Sequence, residues 1–153
     1  MPDRLVPASL PRTTLALTVA GLVPFCVLVA AAWRDAEHLR RAEAVELASV
    51  YAGLSLAFLG GIRWGTAIGP IGARQQSRDI LLSVLPALAA LAGFLLPMPL
   101  RLSLFAVAFL LAALWDVLSV EAGRLPDWFG TSRMIFTAGA VLSLLALLVM
   151  MFI

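Results

Sequence analysis

The sequence is short of nearly every residue that carries familiar chemistry. It has one cysteine, Cys26, one histidine, His38, and no lysine, so all eleven basic residues are arginine. A single cysteine excludes an internal disulfide and a multi-cysteine metal site. With only one histidine beside it, haem, zinc and a histidine-based triad lack ligands, and no catalytic residue, metal or cofactor is expected. Charge is scarce too: 13% of residues, against about 25% in a soluble domain. The net charge of +2 contains no block of one sign, which speaks against a nucleic-acid partner.

What is present is apolar. Hydrophobic residues make up 62% of the 153, and mean hydropathy is +1.01, a composition that belongs in a lipid bilayer. A spanning helix needs about 20 mostly apolar residues, and five stretches supply them: 13–33, 45–69, 79–96, 100–120 and 134–153. Open sheet edges cannot be satisfied in hydrocarbon. The expected fold is therefore all-α, a polytopic membrane protein with a bundle of five transmembrane helices over 13–153, preceded by a short cytoplasmic segment, 1–12. The first run has 21 residues, longer than the roughly 7 to 15 of a signal-peptide core. It is read as a retained span despite Ala30, Ala31 and Ala32 at its end, with Cys26 as a small buried hydrophobe.

The connectors are a charged one at 34–46, a polar turn at 72–79, a Pro-Met-Pro turn at 97–99 and a longer one at 121–133. In the first, Glu37 and Arg41 have the i, i+4 spacing that supports a helix, and His38 falls on a solvated charged face. Arginine placement sets orientation. The side of the amino terminus holds six, Arg4, Arg12, Arg74, Arg78, Arg124 and Arg133; the other holds four, Arg34, Arg40, Arg41 and Arg101. The positive-inside rule then puts the amino terminus in the cytoplasm and the carboxyl terminus outside.

The second span carries the least ordinary stretch, FLGGIRWG (58–65). Every fourth residue is small: Gly53, Ala57, Gly61, Gly65 and Gly69. Such a stripe lets another helix approach closely, which in lipid drives association. Arg63 lies two residues from both Gly61 and Gly65, and each step of two turns a helix by about 200°, so it addresses a different surface. Bare lipid is a poor one, since an arginine at helix centre costs about 2.5 to 3.5 kcal/mol on insertion scales. The alternatives are snorkelling to the headgroups and a charged partner. Asp116, in the fourth span, falls at the same depth, with Pro86, Ser83, Thr137, Trp64 and Trp115 in the same layer and Pro24 somewhat deeper. The expectation is an Arg63–Asp116 ion pair between the second and fourth spans, with Ser83 or Thr137 completing its hydrogen bonds. Trp64 and Trp115 are read as interface-belt residues, with stacking on Arg63 as the alternative.

GLVPF (21–25), FLGGIRWG, the proline of SVLPAL (83–88), Trp115 with Asp116, and LPDWFGTSR (125–133) followed by Thr137 occur together in order. The set resembles a domain-of-unknown-function family of small polytopic membrane proteins, found in bacteria and represented by a mitochondrial transmembrane protein. The resemblance runs from about Pro11 to Val149. It implies membrane architecture and, through the mitochondrial member, the bacterial inner membrane, but no activity or substrate. The position of Arg63 is often histidine in that family, and arginine does not serve as a proton relay.

The favoured function is a non-enzymatic structural or assembly partner of a larger membrane complex, in contact with lipid and with another membrane protein or a second copy. The alternative is a transporter or channel for a small solute or proton using the Arg63/Asp116 layer. Lipid binding through Arg63, Arg74 and Arg78 is compatible with both. An intramembrane enzyme built on Ser83, Ser119 and Asp116 lacks a histidine or lysine base.

Overall fold

The structure, a computed structural model, describes residues 11–34, 38–68 and 73–153. Segment 1–10, Glu37 and Gly69 lie outside the described residues, as do the side chains of His38 and Arg74. The chain forms α1 (Arg12–Arg34), α2 (His38–Ala67), α3 (Ala73–Ser83), α4 (Leu85–Phe94), α5 (Met98–Glu121) and α6 (Asp127–Met150), with no strand among the described residues. Five helical runs are long and apolar enough to cross a membrane: α1, α2, the α3–α4 run from Gln76 to Phe94, α5 and α6.

Four boundaries differ from the sequence reading, the first being α2, which starts at His38 and not at 45 and so takes in much of the charged connector. The third span is two helices, because Pro86 has no N–H to give and its ring clashes with the preceding turn; the helix ends at Ser83 and restarts at Leu85. The polar turn at 72–79 is helical from Ala73, so α3 carries Arg78 and Asp79 into the bundle's end. The last helix starts at Asp127 rather than 134. Pro126 takes an extended conformation before it, and Asp127 sits in its first turn, where a carboxylate meets the positive end of the helix dipole.

The helices close into a ring in the order α1, α2, α4, α5, α6 and back to α1, with α2 also touching α5 across it. Aromatic side chains fill the middle. Phe25 and Phe109 are fully buried. Phe25 meets Tyr51 edge-on at 4.9 Å between ring centroids and Phe109 at 6.4 Å, the arrangement that the ring quadrupoles favour. The Tyr51 hydroxyl donates to the Gly21 carbonyl at 2.7 Å, which ties α2 to α1. Cys26 is exposed on the outer side of α1, contrary to expectation. Successive residues of a helix point about 100° apart, and Phe25 takes the inward position.

At the end where α2 starts and α5 starts, Arg101 Nη1 donates to Glu46 Oε1 at 2.7 Å and to Ser49 Oγ at 3.2 Å. The opposite end, where α2 and α5 finish and α3 and α6 begin, holds a larger polar assembly.

Candidate functional site at the α2–α5–α6 layer

The turn between α5 and α6 positions this assembly. Gly123 has φ +68°, a conformation that costs a residue with a Cβ but not glycine. Its N–H donates to Val120 O at 2.8 Å, and Arg124 N–H donates to Ser119 O at 2.9 Å, the paired bonds of a Schellman termination. The chain then reverses directly into α6. Close approach follows at Gly130, where an added Cβ would lie 3.2 Å from the Val120 side chain. Asp116 lies five residues before the end of α5, and Arg133 six residues after the start of α6. At 1.5 Å per residue these are about 7.5 and 9 Å from the same end of the bundle, so the two meet.

Asp116 is the centre. Its side chain is fully buried and takes two arginines. Arg133 Nε donates to Oδ2. Arg63 Nη1, from α2, stands 3.2 Å from Oδ1 as an ionic contact and donates to Ser119 Oγ at 3.0 Å. Ser119 in turn donates to the Trp115 carbonyl at 2.8 Å. The side chains of Arg63 and Arg133 are only 14% and 6% exposed, so neither is a headgroup-seeking arginine. Two guanidinium groups meet this carboxylate, and Asp79 with its partner Arg124 stands close enough to act on Arg63 as well, so the five groups together carry one positive charge in excess.

The expected partners fall into three groups. Arg63 and Asp116 are together, and Trp115 joins them by stacking: the Arg63 guanidinium carbon is 5.1 Å from the ring centroid and that of Arg78 is 5.9 Å. Ser83 and Thr137 do not complete the hydrogen bonds. The Ser83 hydroxyl donates to its own helix at Ile80 O, 2.6 Å away, and Thr137 Oγ1 has no hydrogen-bond partner among the described residues. Ser119 fills that role, because it sits one turn after Trp115 on the face that meets α2. Trp64 lies apart, 47% exposed on the outer face of α2.

Arg133 is the residue that sequence reasoning missed. The sequence reading makes it a connector charge, yet it is buried inside a helix. The signal was available: a proline followed by an acidic residue marks a helix start, and Pro126–Asp127 placed that start two turns ahead of Arg133. Moving Arg133 out of the loop tally reduces the arginine asymmetry to five against four. Further out, Arg124 Nη1 reaches Asp79 Oδ2 at 3.6 Å and ties the α5–α6 turn to α3.

The small-residue stripe divides. Gly53 is inside, where an added Cβ would run into the Phe94 ring at 2.6 Å. Ala57, Gly61 and Gly65 are exposed, and no atom of the bundle lies within 4 Å of a Cβ built on either glycine. The inward close approach belongs to Gly60, whose Cβ would sit 2.5 Å from the Ser83 carbonyl oxygen.

A buried cluster of this kind, together with the divided glycine run, falls within the stretch 10–149, and that stretch matches the family described as Protein of unknown function (DUF3429). The chain belongs to this family. No curated protein and no solved structure matches it. The family description names no activity, so functional argument rests on the residues themselves. Arg63, Asp116, Trp115, Ser119 and Arg133 all lie inside the matched stretch.

Arg133 lines two of the cavities that adjoin the cluster. One, of about 500 Å³, lies among α1, α2 and α6 beside Tyr51, Phe58 and Trp128. The other, of about 170 Å³, lies among α2, α4 and α5 against the helix break.

Proposed function

We propose that this chain is a non-enzymatic membrane subunit that receives a transmembrane helix of another protein along the outer face of α2. The observation that carries the reading is the open strip at Ala57, Gly61 and Gly65, with none of the described residues packed against its glycines. Leu54, Phe58, Trp64 and Ile68 are exposed on the same face, so large side chains flank a groove of small ones. That relief is what a close helix–helix contact in lipid uses, since backbones approach where side chains are absent. The buried cluster serves this function as an internal lock that holds α2 rigid against α5 and α6. The reading includes the bacterial inner membrane as location, with the α1 amino end in the cytoplasm, supported by the residual arginine asymmetry.

The test is Gly65→Leu. The added side chain points into open space, so the bundle itself should keep its thermal stability within about 0.5 kcal/mol. Complexes recovered from native membranes on blue native gels should nevertheless lose the heavier species that contains this chain. An unchanged pattern, or a heavier species made of this chain alone, counts against the proposed partner.

A second reading, a small-solute or proton transporter, draws support from the two cavities that meet at Arg133. Guanidinium groups do not release protons in proteins, and the Asp116 carboxylate, the buried one among the described residues, is held between two of them, so the reading favours an anion over a proton.

A further inference from the structure

The smaller cavity has a polarity that the docking face does not explain. Three of the side chains lining it, Arg63, Arg133 and Trp115, each keep a buried nitrogen without a hydrogen-bond partner among the described residues: Arg63 Nη2, Arg133 Nη2 and Trp115 Nε1. All three atoms are donors and none can accept. No carboxylate among the described residues lines the cavity, and Asp116 is shared between the two arginines. Buried donors of this kind are normally satisfied, so the site as it stands is complementary to a group that brings negative charge and acceptor oxygens.

The rest of the cavity is hydrocarbon. On α5 its lining descends from Trp115 through Ala112 and Leu111 to Ala108, and α4 contributes Ala89 at the far end. Seven residues along α5 span about 10 Å. The three donors are therefore at the end nearer the bundle's surface, and an apolar channel extends from them toward the membrane centre. Leu85 and Leu111 on its rim are 52% and 61% exposed, so the channel opens sideways to lipid between α4 and α5. Its volume of about 170 Å³ compares with about 30 Å³ for a water molecule in the liquid, enough for a small acidic headgroup with the first part of an alkyl chain.

We propose that this cavity binds an anionic amphiphile, its carboxylate or phosphate held by Arg63, Arg133 and Trp115 and its acyl chain laid along Ala112 and Ala108. The helix break itself borders the space: Leu82 and Ser83 line it from the end of α3, and Leu85, Pro86 and Ala89 from α4. The site lies on the opposite face of α2 from Gly61 and Gly65, so it stands whether or not a partner helix docks there.

Trp115 is a built-in reporter. In a protein with Trp33, Trp64 and Trp128 changed to phenylalanine, its fluorescence is read in phosphatidylcholine vesicles containing brominated phosphatidylcholine, brominated phosphatidylglycerol or bromostearate, with inorganic phosphate as competitor. Quenching by an anionic probe should reach half-maximum at about a tenfold lower mole fraction than by the neutral lipid, the scale of one charge-assisted hydrogen bond. Arg133→Gln should remove that preference while leaving the Arg63–Asp116 pair. Ala108→Leu, which fills the channel without touching a charge, should weaken both anionic probes. Preference for phosphatidylglycerol alone or for bromostearate alone identifies the headgroup as phosphate or carboxylate, and either supports the proposal. Equal quenching by neutral and anionic probes overturns it, as does complete displacement by inorganic phosphate with no effect of Ala108→Leu, which would make the ligand a free anion.

Discussion

Replacing Asp116 by alanine is expected to lower the stability of the bundle by about 3 to 5 kcal/mol, the range for breaking a buried ion pair from one side. The reason is arithmetic. Asp116 is the carboxylate in contact with both Arg63 and Arg133 among the described residues, and its removal takes away the charge that sits between two buried guanidinium groups. Arg63→Met or Arg133→Met should each cost less, since a one-to-one pair survives either change. A protein with Asp116→Leu, Arg63→Met and Arg133→Met together should regain most of the loss, because apolar replacement of a whole buried ion cluster is often neutral or stabilising. Unfolding in mixed micelles, followed by helical circular dichroism, separates these cases. A mild effect of Asp116→Ala alongside a severe effect of either arginine change would show that the carboxylate is not the hub.

Two adjacent glycines should respond in opposite ways, and this is the second large effect. Gly60→Ala is expected to destabilise by about 1 to 3 kcal/mol, the usual cost of overpacking. Its methyl group would fall 2.5 Å from the Ser83 carbonyl oxygen, and a backbone atom has no rotamer to yield. The helix would have to move where Pro86 already interrupts it, so the cavity beside Arg63 should change shape as well. Gly61→Ala meets nothing within 4 Å and should stay within about 0.5 kcal/mol of the parent. The same unfolding assay on both variants checks the contrast; equal effects would mean that α2 is rotated from the orientation described.

The legibility of the site followed the kind of physics involved. The depth of Arg63 and Asp116 could be counted from the ends of their apolar runs, because a helix rises by a constant amount per residue. Which hydroxyl would serve Arg63 could not, since Ser83, Ser119 and Thr137 all fall in that layer and only the rotation of each helix separates them. Arg133 falls out of the site when α6 is started at the apolar run from 134, about two turns after the start that Pro126 and Asp127 mark. The glycine stripe was read as a single face. In the bundle, the buried stripe of α2 runs through Ala48, Ala52, Leu56, Leu59 and Ala67, and the line of small residues crosses out of it after Gly53. A spacing of four overshoots one 3.6-residue turn by about 40°, so such a line drifts round the helix.

The amino-acid sequence by itself determined that the chain is helical, that it carries five runs long and apolar enough to cross a bilayer, and that charge enters those runs at very few positions. Those properties follow from the absence of water in hydrocarbon, which every residue meets individually. Tertiary structure alone decided that one aspartate takes two arginines, that Gly60 faces inward while Gly61 faces out, that Cys26 lies on the exterior, and that a donor-lined cavity opens beside a broken helix. Each of these depends on how one helix is turned relative to its neighbours, a quantity set by packing between segments distant along the chain.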